Sequence, residues 1–124
     1  MELRDIAHLT SQNAGSFEIH TGNFLDEFYR SDNEKRKQMV EQEPAFYPNL
    51  APHILPFLAG MAEKLCNDYN LECPAWVYRP QYYLKEPVFW MEAKGNLRLV
   101  LLVESPIEFR LRNIFTSANS LTRV

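Results

Sequence analysis

The sequence predicts a mainly α-helical fold, a compact single-domain bundle spanning residues 1–124, with an aromatic, proline-rich loop over it. Three observations point there. Leu50, Ile54, Leu55, Leu58, Met61, Ala62, Leu65, Cys66 and Tyr69 trace one wide apolar stripe at helical spacing. Shorter segments before it repeat the same period. Helix start and stop residues recur at the ends of these segments. At 124 residues and 46% hydrophobic content the chain is long enough for a core of its own.

Taken in order, Leu3, Ile6 and Leu9 make residues 3–12 a short amphipathic helix, which Asn13-Ala14-Gly15-Ser16 breaks. Phe24, Leu25, Phe28 and Tyr29 form the apolar face of the next. Ser31 and Glu34 have capping-box spacing ahead of a third helix through Lys35, Arg36 and Lys37 to Met39 and Val40. Pro44 and Pro48 bracket a loop. The longest helix is expected over residues 51–69, with Pro52 in its first turn. Pro56 is awkward there, because it lacks an N–H to donate one turn back and would bend or delay the helix. Asn70 suits the left-handed residue after the helix, with Leu71 as the apolar contact beyond it.

Residues 72–92 read as an irregular, aromatic segment carrying Trp76, Tyr78, Tyr82, Tyr83, Phe89 and Trp90 among prolines. Pro80 can open one helical turn within it. Leu97–Val103 has two readings. It is a buried helix capped by Asn96, which the leucine content favours, or one arm of a β-hairpin with Val88–Ala93 across the turn Lys94-Gly95-Asn96. The second reading places a hairpin at 88–103. Ser105-Pro106-Ile107-Glu108 then reads as a capping box with proline at the first helical position, and Asn113 ends that helix. A last turn is expected over Ser117–Leu121. About five or six helices result.

Charge and composition exclude several functions. The net charge of −3 disfavours a dedicated nucleic-acid binder. From Lys94 onward there are five basic and two acidic residues, against eight basic and fourteen acidic before it. This segment either complements the acidic body internally, the favoured reading, or attracts an anion or acidic partner. No apolar run has membrane-spanning length, and the N-terminus lacks a signal-peptide layout, so a cytoplasmic location is expected. Cys66 and Cys73 have neither zinc spacing nor CxxC spacing. Cys66 lies on the apolar stripe, so a buried thiol is expected and no disulfide.

The residues that carry chemistry do not assemble in sequence. There is no GxSxG elbow. His8, His20 and His53 lie in three separate segments, without metal-ligand spacing. Gly15, Gly22, Gly60 and Gly95 are isolated, which leaves no phosphate-cradling loop. Asp26-Glu27, Glu41/Glu43 and Glu104/Glu108 read as solvated faces or caps, and Glu34-Lys35-Arg36-Lys37 as a solvated helix. No catalytic residue, cofactor or metal is therefore expected. The aromatic residues of the loop either form a satellite core or anchor a partner.

Cys73-Pro74-Ala75-Trp76, Leu84-Lys85-Glu86-Pro87, Glu104-Ser105-Pro106 through Arg112-Asn113-Ile114-Phe115, and Leu121-Thr122-Arg123-Val124 follow one another in a recognisable order. This order resembles a poorly characterised bacterial domain family with the pattern PAW…LxEPxF…ESPxxFRxRNIF…LxRV. The resemblance covers residues 50–124 and departs from the pattern at Val88, Phe89 and Trp90, where a proline is expected after the aromatic pair. It implies a companion of a nucleotidyltransferase-like protein or a helix-turn-helix regulator, in a toxin–antitoxin-like module. The leading expectation is thus a non-catalytic protein-binding domain. Trp76, Arg110, Arg112 and Asn113 are its contact residues, and the arginines are its forked donors. Its partner is a protein and self-association is open. The rivals are a nucleic-acid-binding regulator that uses the basic C-terminal segment, and a small enzyme whose site forms from His53, Cys66 or Glu104 only in three dimensions.

Overall fold

The computed structural model describes residues 1–89, 105–117 and 121. The fold is mainly helical. Helices α1 (Leu3–Ser11), α2 (Phe17–Arg30), α3 (Asn33–Glu41) and α4 (Ile54–Asp68) are followed by two 3-10 turns, Ala75–Tyr78 and Pro80–Tyr82. Strand β1 (Val88–Phe89), the short helix α5 (Ile107–Arg110) and strand β2 (Ile114–Phe115) complete the described elements.

Local chemistry sets the ends of the helices. Ser16 caps α2 by accepting from the Ile19 N–H at 3.2 Å. Asp32 caps α3 by accepting from the Lys35 N–H at 2.9 Å. The cap expected at Ser31 therefore falls one residue later, on Asp32, and without a reciprocal carboxylate. Ser31 closes α2 instead, and its hydroxyl donates to the Glu27 carbonyl at 2.7 Å. Helix α4 begins later than expected, and Pro56 is its third residue. The first-turn N–H groups of a helix have no intrahelical partner, so proline there forfeits no bond.

Asn13 and Asn70, at φ 55° and 54°, terminate α1 and α4. Beyond Asn70 the Leu71 N–H donates to the Cys66 carbonyl at 2.8 Å, and Ala14 donates to Leu9 in the same way after α1. Both helices thus end in the turn that satisfies otherwise orphaned carbonyls.

Leu3, Ile6, Phe24, Phe28, Leu58, Met61 and Leu65 form the centre of the core, where α1, α2 and α4 pack together. The aromatic loop is part of this core, because Trp76, Val77 and Tyr82 are buried in the same cluster. The Trp76 indole N–H donates to the Val40 carbonyl at 3.1 Å, which satisfies an end group of α3.

Helix α5 closes on α4. The Phe57 and Phe109 rings stack at 4.9 Å, and Gly60 makes room beneath them. Beyond α5 the chain pairs β2 with β1 in parallel, Val88 opposite Ile114 and Phe89 opposite Phe115. The described part of the expected hairpin arm is therefore a strand whose parallel partner is β2. The remainder of 88–103, whether hairpin or helix, lies outside the described residues, as do most of the residues expected to form the last turn.

Candidate functional site

Of the four residues singled out from sequence, Arg110, Arg112 and Asn113 lie in or just after α5 and Trp76 lies in the first 3-10 turn, and their surroundings differ. Arg112 is fully buried. Its Nη1 donates to Glu63 Oε1 at 2.6 Å and to the Glu108 carbonyl at 2.8 Å, and its Nη2 donates to the Val77 carbonyl at 2.7 Å. The guanidinium lies 4.7 Å from the centre of the Tyr83 ring. One side chain thus joins α4, α5 and the first 3-10 turn. A charge out of water requires this density of partners. Both terminal nitrogens are thus engaged, while Nε has no hydrogen-bond partner among the described residues.

Asn113 adopts φ 63° after α5. Its side-chain amide donates to the Leu84 carbonyl at 2.8 Å, and its own carbonyl accepts from the Val88 N–H at 2.8 Å. It turns the chain into β2 and fastens that turn to the segment leading into β1. Trp76 is 5% exposed, with its ring edge-on to Tyr82 and its N–H on Val40. Trp76 and Arg112, expected as contact residues, are therefore turned inward. The first fills the core and the second holds three elements together.

Arg110 is different. It is exposed, and its side chain makes no hydrogen bond or ion pair among the described residues. Ile107 and Leu111, one helical turn apart, flank it at 54% and 64% exposure. The three side chains present two aliphatic groups and an uncommitted guanidinium on one face. Phe46, at 77% exposure, is a second apolar projection, at the rim of a shallow cavity with Leu50, Pro52 and Leu55. Its neighbouring cation Arg79 is already paired with Glu43 at 3.2 Å.

The capping box expected at Ser105 and Glu108 has a different use. The Ser105 hydroxyl donates to the Thr116 carbonyl at 2.8 Å and accepts from the Thr116 N–H at 2.9 Å, which bridges the two ends of the α5 segment. The Glu108 carboxylate accepts from the Asn67 amide at 2.8 Å, which ties α5 to the last turn of α4. Arg36, read from sequence as solvated, donates to the Phe28 and Tyr29 carbonyls at 2.9 and 3.0 Å. Its guanidinium stands 4.3 Å from the Tyr69 ring centre. Here a cation caps the end of the preceding helix.

The residues considered for an enzymatic site are dispersed. His53 precedes the first residue of α4, and Cys66 lies near its other end. At 1.5 Å per residue they stand about 20 Å apart along the axis. Glu104 is outside the described residues. His8 is within 3.2 Å of the Tyr47 hydroxyl, and His20 is buried beside Gly15. Among the described residues no three His, Cys, Asp or Glu side chains converge as metal ligands, and no helix is long and apolar enough to cross a membrane.

A grouping that sequence spacing conceals involves the two cysteines. The turn at Asn70 carries Cys73 back over the end of α4, against the core that holds Cys66. Cys66 is fully buried within that core, and Cys73 packs against it half-buried. The influence of Cys66 first, and of Tyr78, holds the Cys73 thiol below its ordinary range against its own burial. Cys66 is pushed well above its own by Cys73 and by burial.

No protein-family model matches the chain, and no curated protein or solved structure matches it.

Proposed function

We propose that this chain is a non-catalytic protein-binding domain that docks through the outer face of α5. The observation that carries the proposal is the exposed set Ile107, Arg110 and Leu111, beside polar groups of the same segment that are engaged in holding the fold. Two exposed aliphatic side chains one turn apart supply desolvation energy, and a forked donor between them supplies orientation. The occupant that fits is a protein surface with an apolar depression beside a carboxylate. The resemblance drawn from the sequence supports a bacterial two-gene setting, toxin–antitoxin-like or regulatory, with a nucleotidyltransferase-like protein as partner.

The test is calorimetric titration of the purified chain with a nucleotidyltransferase-like protein of the kind the resemblance implies. Ile107→Asp combined with Leu111→Asp should weaken binding by about tenfold or more. Arg110→Glu should weaken it and flatten its salt dependence. The circular dichroism spectra should be unchanged, because all three side chains are exposed. Binding that none of these variants alters, or an absence of binding by the unaltered chain, overturns the proposal.

A further inference from the structure

We propose that the loop between α3 and α4 is a self-association surface, on which two copies of this chain meet about a two-fold axis and each inserts Phe46 into the other's apolar cavity. The surface shares no residue with the α5 face and stands independently of the docking proposed there.

The loop carries a projection and a depression side by side. Phe46 is 77% exposed, whereas Tyr47 and Leu50 after it pack against the core. Beside the Phe46 ring, Leu50, Ala51, Pro52, Leu55 and Tyr82 line a cavity of about 140 Å³. That volume suits one phenyl ring, since an apolar cavity of about 150 Å³ takes up benzene. Among the described residues no charged side chain lines it.

Local structure anchors the projection. The Leu50 N–H closes a turn on the Tyr47 carbonyl at 3.1 Å. The Asn49 amide donates to the Ser11 carbonyl at 2.8 Å, and His8 Nδ1 meets the Tyr47 hydroxyl at 3.2 Å, which fastens the turn to α1. On the other side of Phe46 the Tyr82 hydroxyl donates to Glu43 Oε2 at 2.5 Å. Phe46 is thus held out from a base tied down on both sides, so contact costs little further ordering. An aromatic anchor that fills a matching pocket is the kind of contact that dominates an interface.

Two observations select a second copy as the occupant. A two-fold contact needs one patch that carries both halves of the fit, and here plug and socket adjoin on one loop. A different protein would have to bring both a ring for this cavity and a cavity for this ring. The charges agree. Glu43 and Arg79 line the depression next to Phe46 and pair at 3.2 Å, so the rim holds one charge of each sign and two copies can close on it without like-charge repulsion. Arg79 pairs through Nη1, and its Nη2 has no partner among the described residues, which leaves it to donate to Glu43 of the second copy. A contact confined to one loop and the second 3-10 turn belongs with small interfaces, so the dimer is weak and forms with concentration.

Sedimentation equilibrium of the full chain, at concentrations up to about 1 mM, tests this. The expected result is a reversible monomer–dimer equilibrium. Phe46→Ala removes the plug and Ala51→Trp fills the socket. Each should raise the dissociation constant by about tenfold or more with an unchanged circular dichroism spectrum, because both positions are exposed. Ile107→Asp combined with Leu111→Asp should leave the dimer intact, which separates this surface from the α5 face. A chain that stays monomeric throughout overturns the proposal and leaves the cavity to a segment of another protein. A dimer that either Phe46→Ala or Ala51→Trp retains, one that the α5 variant abolishes, or assembly beyond the dimer also overturns it. Phe46→Ala decides alone where Ala51→Trp folds poorly.

Discussion

Arg112 and Glu63 meet at 2.6 Å across 49 positions of sequence, with the arginine wholly enclosed and the carboxylate at the protein's edge. The pair fixes the distance between α4 and the turn after α5. Arg112→Ala removes the cation and also leaves the Val77 and Glu108 carbonyls without this donor. We expect a loss of about 3–5 kcal/mol in urea unfolding, at the level of a broken buried ion pair. Arg112→Lys should recover only part of it, since one ammonium cannot reproduce the fork. A destabilisation near zero for Arg112→Ala would refute this role.

Gly60 is required by close approach. A Cβ there would lie 2.8 Å from Phe109 Cδ1 and 3.4 Å from the Glu108 carbonyl. Alanine is otherwise the better helix former by about 1 kcal/mol. Because the ring is stacked on Phe57 and enclosed, overpacking should dominate, and Gly60→Ala should destabilise by about 1–3 kcal/mol. Thermal unfolding of Gly60→Ala and of Gly60→Ala with Phe109→Leu checks the mechanism. The double variant should lose less than the two single losses added together.

At Asn70 the backbone carries φ 54°. Glycine adopts this conformation without a Cβ penalty, whereas alanine does not. Asn70→Gly is expected to leave the unfolding midpoint unchanged or raised. Asn70→Ala should lower stability by about 1 kcal/mol. Equal effects of the two substitutions would show that the left-handed turn is not the reason for asparagine.

Trp76→Phe keeps most of the ring but deletes the indole N–H that satisfies Val40. The unpaired carbonyl and the lost volume together should cost about 1–3 kcal/mol. Faster amide exchange at the α3 end, measured by NMR, should accompany the loss. Exchange unchanged there would sink the end-group explanation.

Burial holds the His53 imidazole below its ordinary value of 6.5. The folded state therefore binds its proton less readily than the unfolded chain does. The stability linked to this group is complete above about pH 6.5 and falls as the pH drops from there through the folded value. His53→Gln should flatten that part of a stability-versus-pH curve measured by urea unfolding. A curve of identical slope in the variant would exclude His53 as its source.

The helical architecture was legible because burial imposes a period. Phe24, Leu25 and Phe28 in α2, and Leu58, Met61 and Leu65 in α4, repeat at the spacing of one helix face, and all of them are buried. The left-handed asparagines were legible too, since few residues tolerate positive φ. The sites of polar side chains were less so. Arg110 and Arg112 look alike in sequence, as two cations near a helix end. Two residues are about 200° of helical rotation, so one faces water while the other enters the core. Which of them turns inward depends on Glu63, Val77 and Tyr83, and no local pattern reveals that. The same holds for Cys73, whose packing against the core is found only once the path after Asn70 is known. The parallel pairing of Val88 with Ile114 depends on where α5 docks, so the short apolar run at Val88 could not disclose its partner.

The stacking of Phe109 over Gly60 and the bond from the Tyr29 hydroxyl to the Leu121 carbonyl, 92 positions apart, have a consequence for biosynthesis. A nascent polypeptide emerging from the ribosome exposes the α1 to α4 assembly before the segment that covers it exists. During that interval the glycine notch and the Glu63 carboxylate face solvent. The completed fold therefore arises only after translation of the α5 region.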